Sequence, residues 1–165
     1  MSDDDSRYDM RRASRVSRLV EIEDVRVRMS FFHQPDDEAT LDEFHTELLA
    51  EVRSVGDGML IIEAGYRLAR HEPESDEREL VVGEEVSDEP EILCMTHFLV
   101  TYSYTEEPDS EDLEAFAHHN AIFNTWPYWR ERVQASAASM GLPPLVVPVH
   151  RFSLPSPETN SDESE

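Results

Sequence analysis

The run Ile92-Leu93-Cys94-Met95-Thr96-His97-Phe98-Leu99-Val100-Thr101-Tyr102-Ser103-Tyr104 decides the architecture. In an extended chain successive side chains point to opposite faces. Ile92, Cys94, Phe98, Val100, Tyr102 and Tyr104 then share one face, and Leu93, Met95 and Leu99 lie on the other. Both faces are mostly apolar. Outside a parallel sheet, such a strand needs helices or another subunit over its second face.

Upstream, Leu60, Ile62, Ala64, Tyr66 and Leu68 alternate within Met59 to Leu68. Gly56-Asp57-Gly58 precedes them as a turn signal. Val25, Val27, Met29 and Phe31 alternate with Arg26, Arg28 and Ser30, which predicts a further strand over Val25 to Phe32. Thr40 to Arg53 supports two readings. Phe44, Thr46, Leu48, Ala50 and Val52 fit a strand, whereas Thr40 with Glu43 resembles a capping box and Leu41, Phe44, Leu48 and Val52 fit a helix, which the local sequence favours.

Downstream the period changes. Pro108, Asp109 and Ser110 lead into Glu111 and Asp112 as a capped, acidic first turn, followed by Leu113, Phe116, Ala117 and Ala121 at helical spacing. A second helix is predicted from about Thr125 to Gly141, with Pro127 in its first turn, a stripe of Trp129, Val133, Ala137 and Met140, and Gly141 as its terminator. Strands followed by helices define an α+β layer in which helices pack on one face of an antiparallel sheet.

The 165 residues suit one domain, and 14 basic against 37 acidic side chains give a formal charge of -23. Such a field repels phosphate and anionic lipid, which argues against nucleic acid or membrane as the main partner. All 14 basic residues are Arg. Residues 1–18 are predicted to be a flexible arm, 19–153 the folded domain and 154–165 a disordered acidic tail. Residues 72–91, with ten acidic groups against Arg78, form an acidic insertion within the domain. The N-terminus lacks the apolar stretch of a signal peptide and no run reaches membrane-spanning length, so a cytoplasmic location is expected. The lone Cys94 suits a reducing compartment.

Five glycines form no phosphate-binding loop. His118 and His119 point about 100° apart on a helix and no partner completes a metal set around them. Cys94 lies within an apolar strand, and Ser30 and Ser103 lack a nucleophile motif. No catalytic, metal or cofactor site is predicted, and an enzyme is not expected. The contrast lies in residues 126–151, which carry Arg130, Arg132 and Arg151 against Glu131 and are rich in apolar groups. Core packing and a subunit contact are the ordinary role of most such residues, but Trp126, Tyr128 and Trp129 within four residues are more than one helix start usually buries and also suggest an exposed apolar site.

Trp126-Pro127-Tyr128-Trp129-Arg130-Glu131, followed by Met140-Gly141-Leu142-Pro143-Pro144-Leu145 and Pro148-Val149, resembles the SecB export-chaperone family. Ser30-Phe31 ahead of Pro35 is similar to that family's first strand, and Ile92-Leu93-Cys94 to its last. The resemblance spans roughly residues 25–152. It implies a four-stranded antiparallel sheet with helices on one face, assembled as a homotetramer (dimer of dimers), and it reads Thr40 to Arg53 as a strand. Two departures stand out. The family's final helix, which borders the client groove, is not expected beyond Leu154-Pro155-Ser156-Pro157, and residues 72–91 exceed the family's short turn.

The resemblance implies an ATP-independent holdase that binds unfolded polypeptides in hydrophobic grooves. Clients would be preproteins awaiting export, with the SecA motor as a possible partner, or an antitoxin of a toxin-antitoxin system. Phe31, Leu60, Ile62, Trp126, Trp129, Val133, Met140 and Leu142 are the expected groove residues. An alternative from the charge alone is an acidic protein that mimics nucleic acid and inhibits a DNA-binding protein.

Overall fold

The computed structural model describes residues 3–33, 44–70 and 91–147. The elements are α1 (Asp3–Ser17), β1 (Val20–Phe32), β2 (His45–Gly56), β3 (Met59–Arg70), β4 (Glu91–Tyr104), α2 (Ser110–Phe116) and α3 (Ile122–Ser139), with a π-helical turn at Ala117–Ala121 joining the last two. All four strands pair antiparallel in the order β1-β4-β3-β2. The predicted α+β class is therefore present. Thr40 to Arg53 is a strand wherever it is described, from His45 onward. The acidic insertion and the acidic tail lie outside the described residues, apart from Glu91, which begins β4.

The turn between β2 and β3 has Asp57 at φ 53° and Gly58 at φ 75°, two left-handed residues in a row. That backbone twists with the strands and closes a two-residue hairpin, which is why glycine and aspartate stand there. Register pairs Leu60 with Tyr102, Ile62 with Val100, Ala64 with Phe98 and Leu68 with Cys94. These residues share the face covered by helices, and all are at most 5% exposed. Tyr66, on the same face, stacks on Trp129 at 4.9 Å and meets Trp126 and Phe98 edge-on at 5.7 and 5.9 Å. Tyr102 meets Phe116 edge-on at 5.2 Å.

β1 begins five residues before the predicted strand. Register shifts between Ile22 and Asp24 and between Val27 and Met29 mark two bulges. Each extra residue reverses the side-chain alternation. Val25 and Val27 therefore pack against the core, whereas Met29 and Phe31 turn to the uncovered face, 42% and 47% exposed.

Ser110–Ser139 is one helical run, a correction to the two separate helices predicted. Asp109 caps it by accepting a hydrogen bond from the Glu111 amide at 3.0 Å. Pro127 sits inside the helix, not in its first turn. The π turn just upstream shifts the hydrogen-bond register. Thr125 donates its hydroxyl to the Ala121 carbonyl at 2.7 Å, and the buried Tyr66 hydroxyl bonds the Ile122 carbonyl at 2.7 Å and contacts Thr125. The run ends as predicted at Gly141, φ 72°, where Gly141 donates to Ala138 and Leu142 to Ala137.

The predicted flexible arm contains α1, a second correction. Ala13 and Val16 are buried against the body, and the Asp112 carboxylate, 7% exposed, accepts from Arg15 at 2.6 Å and from Arg12 at 3.1 Å. Asn120 donates to Ser17 at 2.7 Å. Apolar burial at Ala13 and Val16 with a paired buried carboxylate gives the helix a fixed seat that charge counting alone does not reveal. No helix among the described residues is long and apolar enough to cross a membrane.

Candidate functional site

Of the eight expected groove residues, Leu60, Ile62, Trp129 and Val133 have no exposed surface and Trp126 is 7% exposed. In the structure they pack the helix on the sheet and have little or no exposed surface, the core role that such residues ordinarily take. Their spacing gave no warning, because an apolar stripe faces a core or a groove with the same periodicity. Phe31 is exposed but lies on the opposite, uncovered face of the sheet. Met140 and Leu142 are half-buried at the end of α3. The eight residues are not brought together into one groove.

The structure forms concave surfaces elsewhere, on both sides of the edge strand β2. On the helix side, a cleft of about 360 Å³ runs between β2 and the α2–π segment, lined by Ala50, Glu51, Val52, Ser110, Leu113, Glu114 and Ala117. On the uncovered side, a depression of about 390 Å³ is lined by Glu47, Leu48, Leu49, Gly65, Tyr66, Arg67, Met95 and His97. Gly65 permits this closeness: a Cβ there would meet the His97 ring at 3.2 Å and Leu49 at 3.3 Å. Leu48 and Leu49, 43% and 49% exposed, point to opposite faces at the middle of the edge. Sequence reading singled out neither, since alternation shows which residues share a face and not which strand ends up at an edge.

Beside the depression lies a charged cluster that crosses the sheet. Glu63 is 4% exposed. Its carboxylate lies 2.7 Å from His97 Nδ1, accepts from Arg53 Nε at 2.7 Å and pairs with Arg28. Burial opposes its ionisation, but the bonds to His97 and Arg53 and the charges of Arg53 and Arg28 outweigh it, so the carboxyl titrates below its ordinary range. Arg67 donates to Glu47 at 2.6 Å on the same face. The cluster consists of matched ion pairs, and no group of three or more potential metal ligands occurs among the described residues. Cys94 is fully buried and burial pushes its thiol up to about 12, which makes it an inert core group.

A four-stranded antiparallel sheet with helices on one face is the architecture of the SecB-like fold. Among solved structures the chain is similar to a SecB-like chaperone of Mycobacterium tuberculosis in complex with a ChAD peptide from the HigA1 antitoxin. The TM-score is 0.62 at 18% identity, covering 89% of this chain and 99% of that one. The chain has the SecB-like fold. A protein of unknown function from Streptococcus agalactiae matches at TM-score 0.44 and 10% identity over 78% of this chain and 96% of that one. No family model matches the sequence, and no curated protein matches it.

Proposed function

We propose that this protein is a chaperone that binds non-native polypeptide segments at the edge of its sheet, without nucleotide. The observation that carries the reading is the pair of concave surfaces beside β2, with apolar residues exposed on both faces of that strand. The fold adds support, since the neighbour that shares it is a SecB-like chaperone in complex with an antitoxin-derived peptide. Burial of side chains yields about 25 cal/mol per Å² of apolar area and needs no particular sequence, so the surface suits a holdase. Several shallow subsites along one chain add to firm but reversible capture.

An antitoxin is the client favoured over an exported preprotein, because the neighbour's peptide comes from an antitoxin. Contact with the SecA motor is the corollary of the export role. A charge of -23 keeps an apolar surface soluble and attracts basic clients. The test is light scattering from an aggregating client with the protein at stoichiometric amounts. Wild type suppresses scattering, and Leu48→Asp, an exposed position that leaves the core intact, suppresses it several-fold less. If wild type leaves scattering unchanged, the chaperone reading fails.

A further inference from the structure

The sheet has two edges, and they are built differently. β1 is interrupted by two bulges within its 13 residues, and Glu21, Glu23, Asp24, Arg26 and Arg28 stud the strand. Bulges and charges are the ordinary means by which an edge is made unfit to pair with another chain. β2 lacks this protection over its central part. From His45 to Val52 its pairing with β3 is unbroken, the first shift coming only between Val52 and Ser54. Eight residues at about 3.4 Å each give a straight edge of roughly 27 Å.

Along that edge the outward backbone groups have no partner strand among the described residues. Its centre, Leu48-Leu49-Ala50, is apolar where an edge is ordinarily charged. The two hollows flank this same stretch, one on each face. Ala50, Val52, Leu113 and Ala117 line the helix-side cleft, while Glu47 and Leu49 line the depression on the uncovered side. A strand laid beside β2 would send alternate side chains into the two hollows.

We infer that a client docks on β2 as an added fifth strand, backbone to backbone, with an apolar side chain at every second residue entering the cleft beside α2. This rests on the chaperone reading and specifies how its site works. The intervening side chains overlie Glu47, Leu49 and Glu51, and the charge of -23 favours basic residues among them. Ladder hydrogen bonds supply affinity without sequence, and the hollows supply the pattern. A slip of one residue would move every apolar side chain out of the cleft, so the client's register is fixed by its alternation.

The experiment uses a fluorescent decapeptide of alternating Arg and Val, its block isomer with the Arg residues first, and single backbone N-methylations across its central four residues, by polarisation at raised salt. The full-length protein is the receptor. The alternating peptide is expected to bind roughly tenfold more tightly than the block isomer of equal charge. N-methylation should weaken binding about tenfold at every second position and much less between, because in a strand pair only alternate residues direct their N–H to the partner. Hydrogen exchange should show outward β2 amides fast in the free protein and slowed by the peptide. A flat N-methyl profile with aggregation still suppressed overturns strand addition and leaves the chaperone reading intact. Loss of both peptide binding and suppression overturns both. β2 amides already protected in the free protein would mean that a second copy fills the edge, and that too overturns the inference.

Discussion

At the scale of single residues, the core gives two sharp expectations. Tyr66 is buried with its hydroxyl on the Ile122 carbonyl, beside Thr125, and burial holds it protonated far above its ordinary range. Tyr66→Phe keeps the ring stack on Trp129 and leaves the carbonyl near the π turn without that donor. One buried hydrogen bond is lost while the Thr125 hydroxyl still reaches that carbonyl at 3.4 Å, so urea denaturation should lose about 0.5–1.5 kcal/mol of stability with an unchanged m-value. Cys94 should not react with a thiol reagent in the native protein and should react fully once denatured, since both burial and a raised pKa withhold the thiolate. Rapid native labelling would contradict the packing of β4 under Trp129.

At the scale of elements, α1 is fixed through Asp112. The bond from Arg15 leads in lowering the carboxyl's pKa, burial opposes it, and Arg12 adds to the lowering. Glu63 is lowered as well. A carboxyl depressed in the folded state contributes stability that is complete above its unfolded value, about 4, and is lost as pH falls through the folded value. The melting temperature should therefore hold steady near neutrality and fall steeply below about pH 4. Asp112→Asn should lower stability at pH 7 by about 1–2 kcal/mol, discounted for the exposed Arg15, and should flatten the acid limb. An unshifted acid limb in this variant would show that Asp112 does not latch α1.

The same elements show what the sequence could and could not convey. The strands at Met59–Arg70 and Glu91–Tyr104 were legible because their alternation holds on the covered face from Leu60 to Leu68 and from Cys94 to Tyr102, the register shifting only beside Ala69, where Leu93, expected on the other face, is buried in the core as well; the resemblance correctly favoured a strand over the capping signal ahead of β2. β1 was legible only from Val25, because its bulges hide the period-two pattern where Glu21, Glu23 and Asp24 crowd the strand. Pro127 suggested a helix start. The bonds from the Tyr66 hydroxyl to Ile122 and Thr125, beside the interior proline, are tertiary contacts 56 and 59 residues apart, which no local window contains. The candidate site was missed for a similar reason. Trp126 and Trp129 are conspicuous in composition and sit in the core, whereas Leu48 and Leu49 are ordinary residues made significant by their place at an edge.

At the scale of the whole molecule, two of the exposed apolar surfaces away from the β2 edge face opposite ways. Met29 and Phe31 are exposed on the uncovered face of the sheet, and Phe123 and Tyr128 are about half exposed on the helical run. A closed assembly of four identical chains with two-fold axes uses two different self-complementary patches on each copy, and these two surfaces meet that requirement. Native mass measurement should therefore find four copies. Phe31→Glu and Tyr128→Glu should each reduce the assembly to dimers by opening a different patch, and the double variant should be monomeric with an unchanged circular dichroism spectrum. Copies that each carry -23 repel one another. Raising salt from about 0.05 to 0.5 M shortens the screening length from over 10 Å to under 5 Å and should tighten the assembly. A wild-type protein that stays monomeric at all salt concentrations would refute the two-patch arrangement, and the β2 edge, which belongs to neither patch, would remain open to a client in either state.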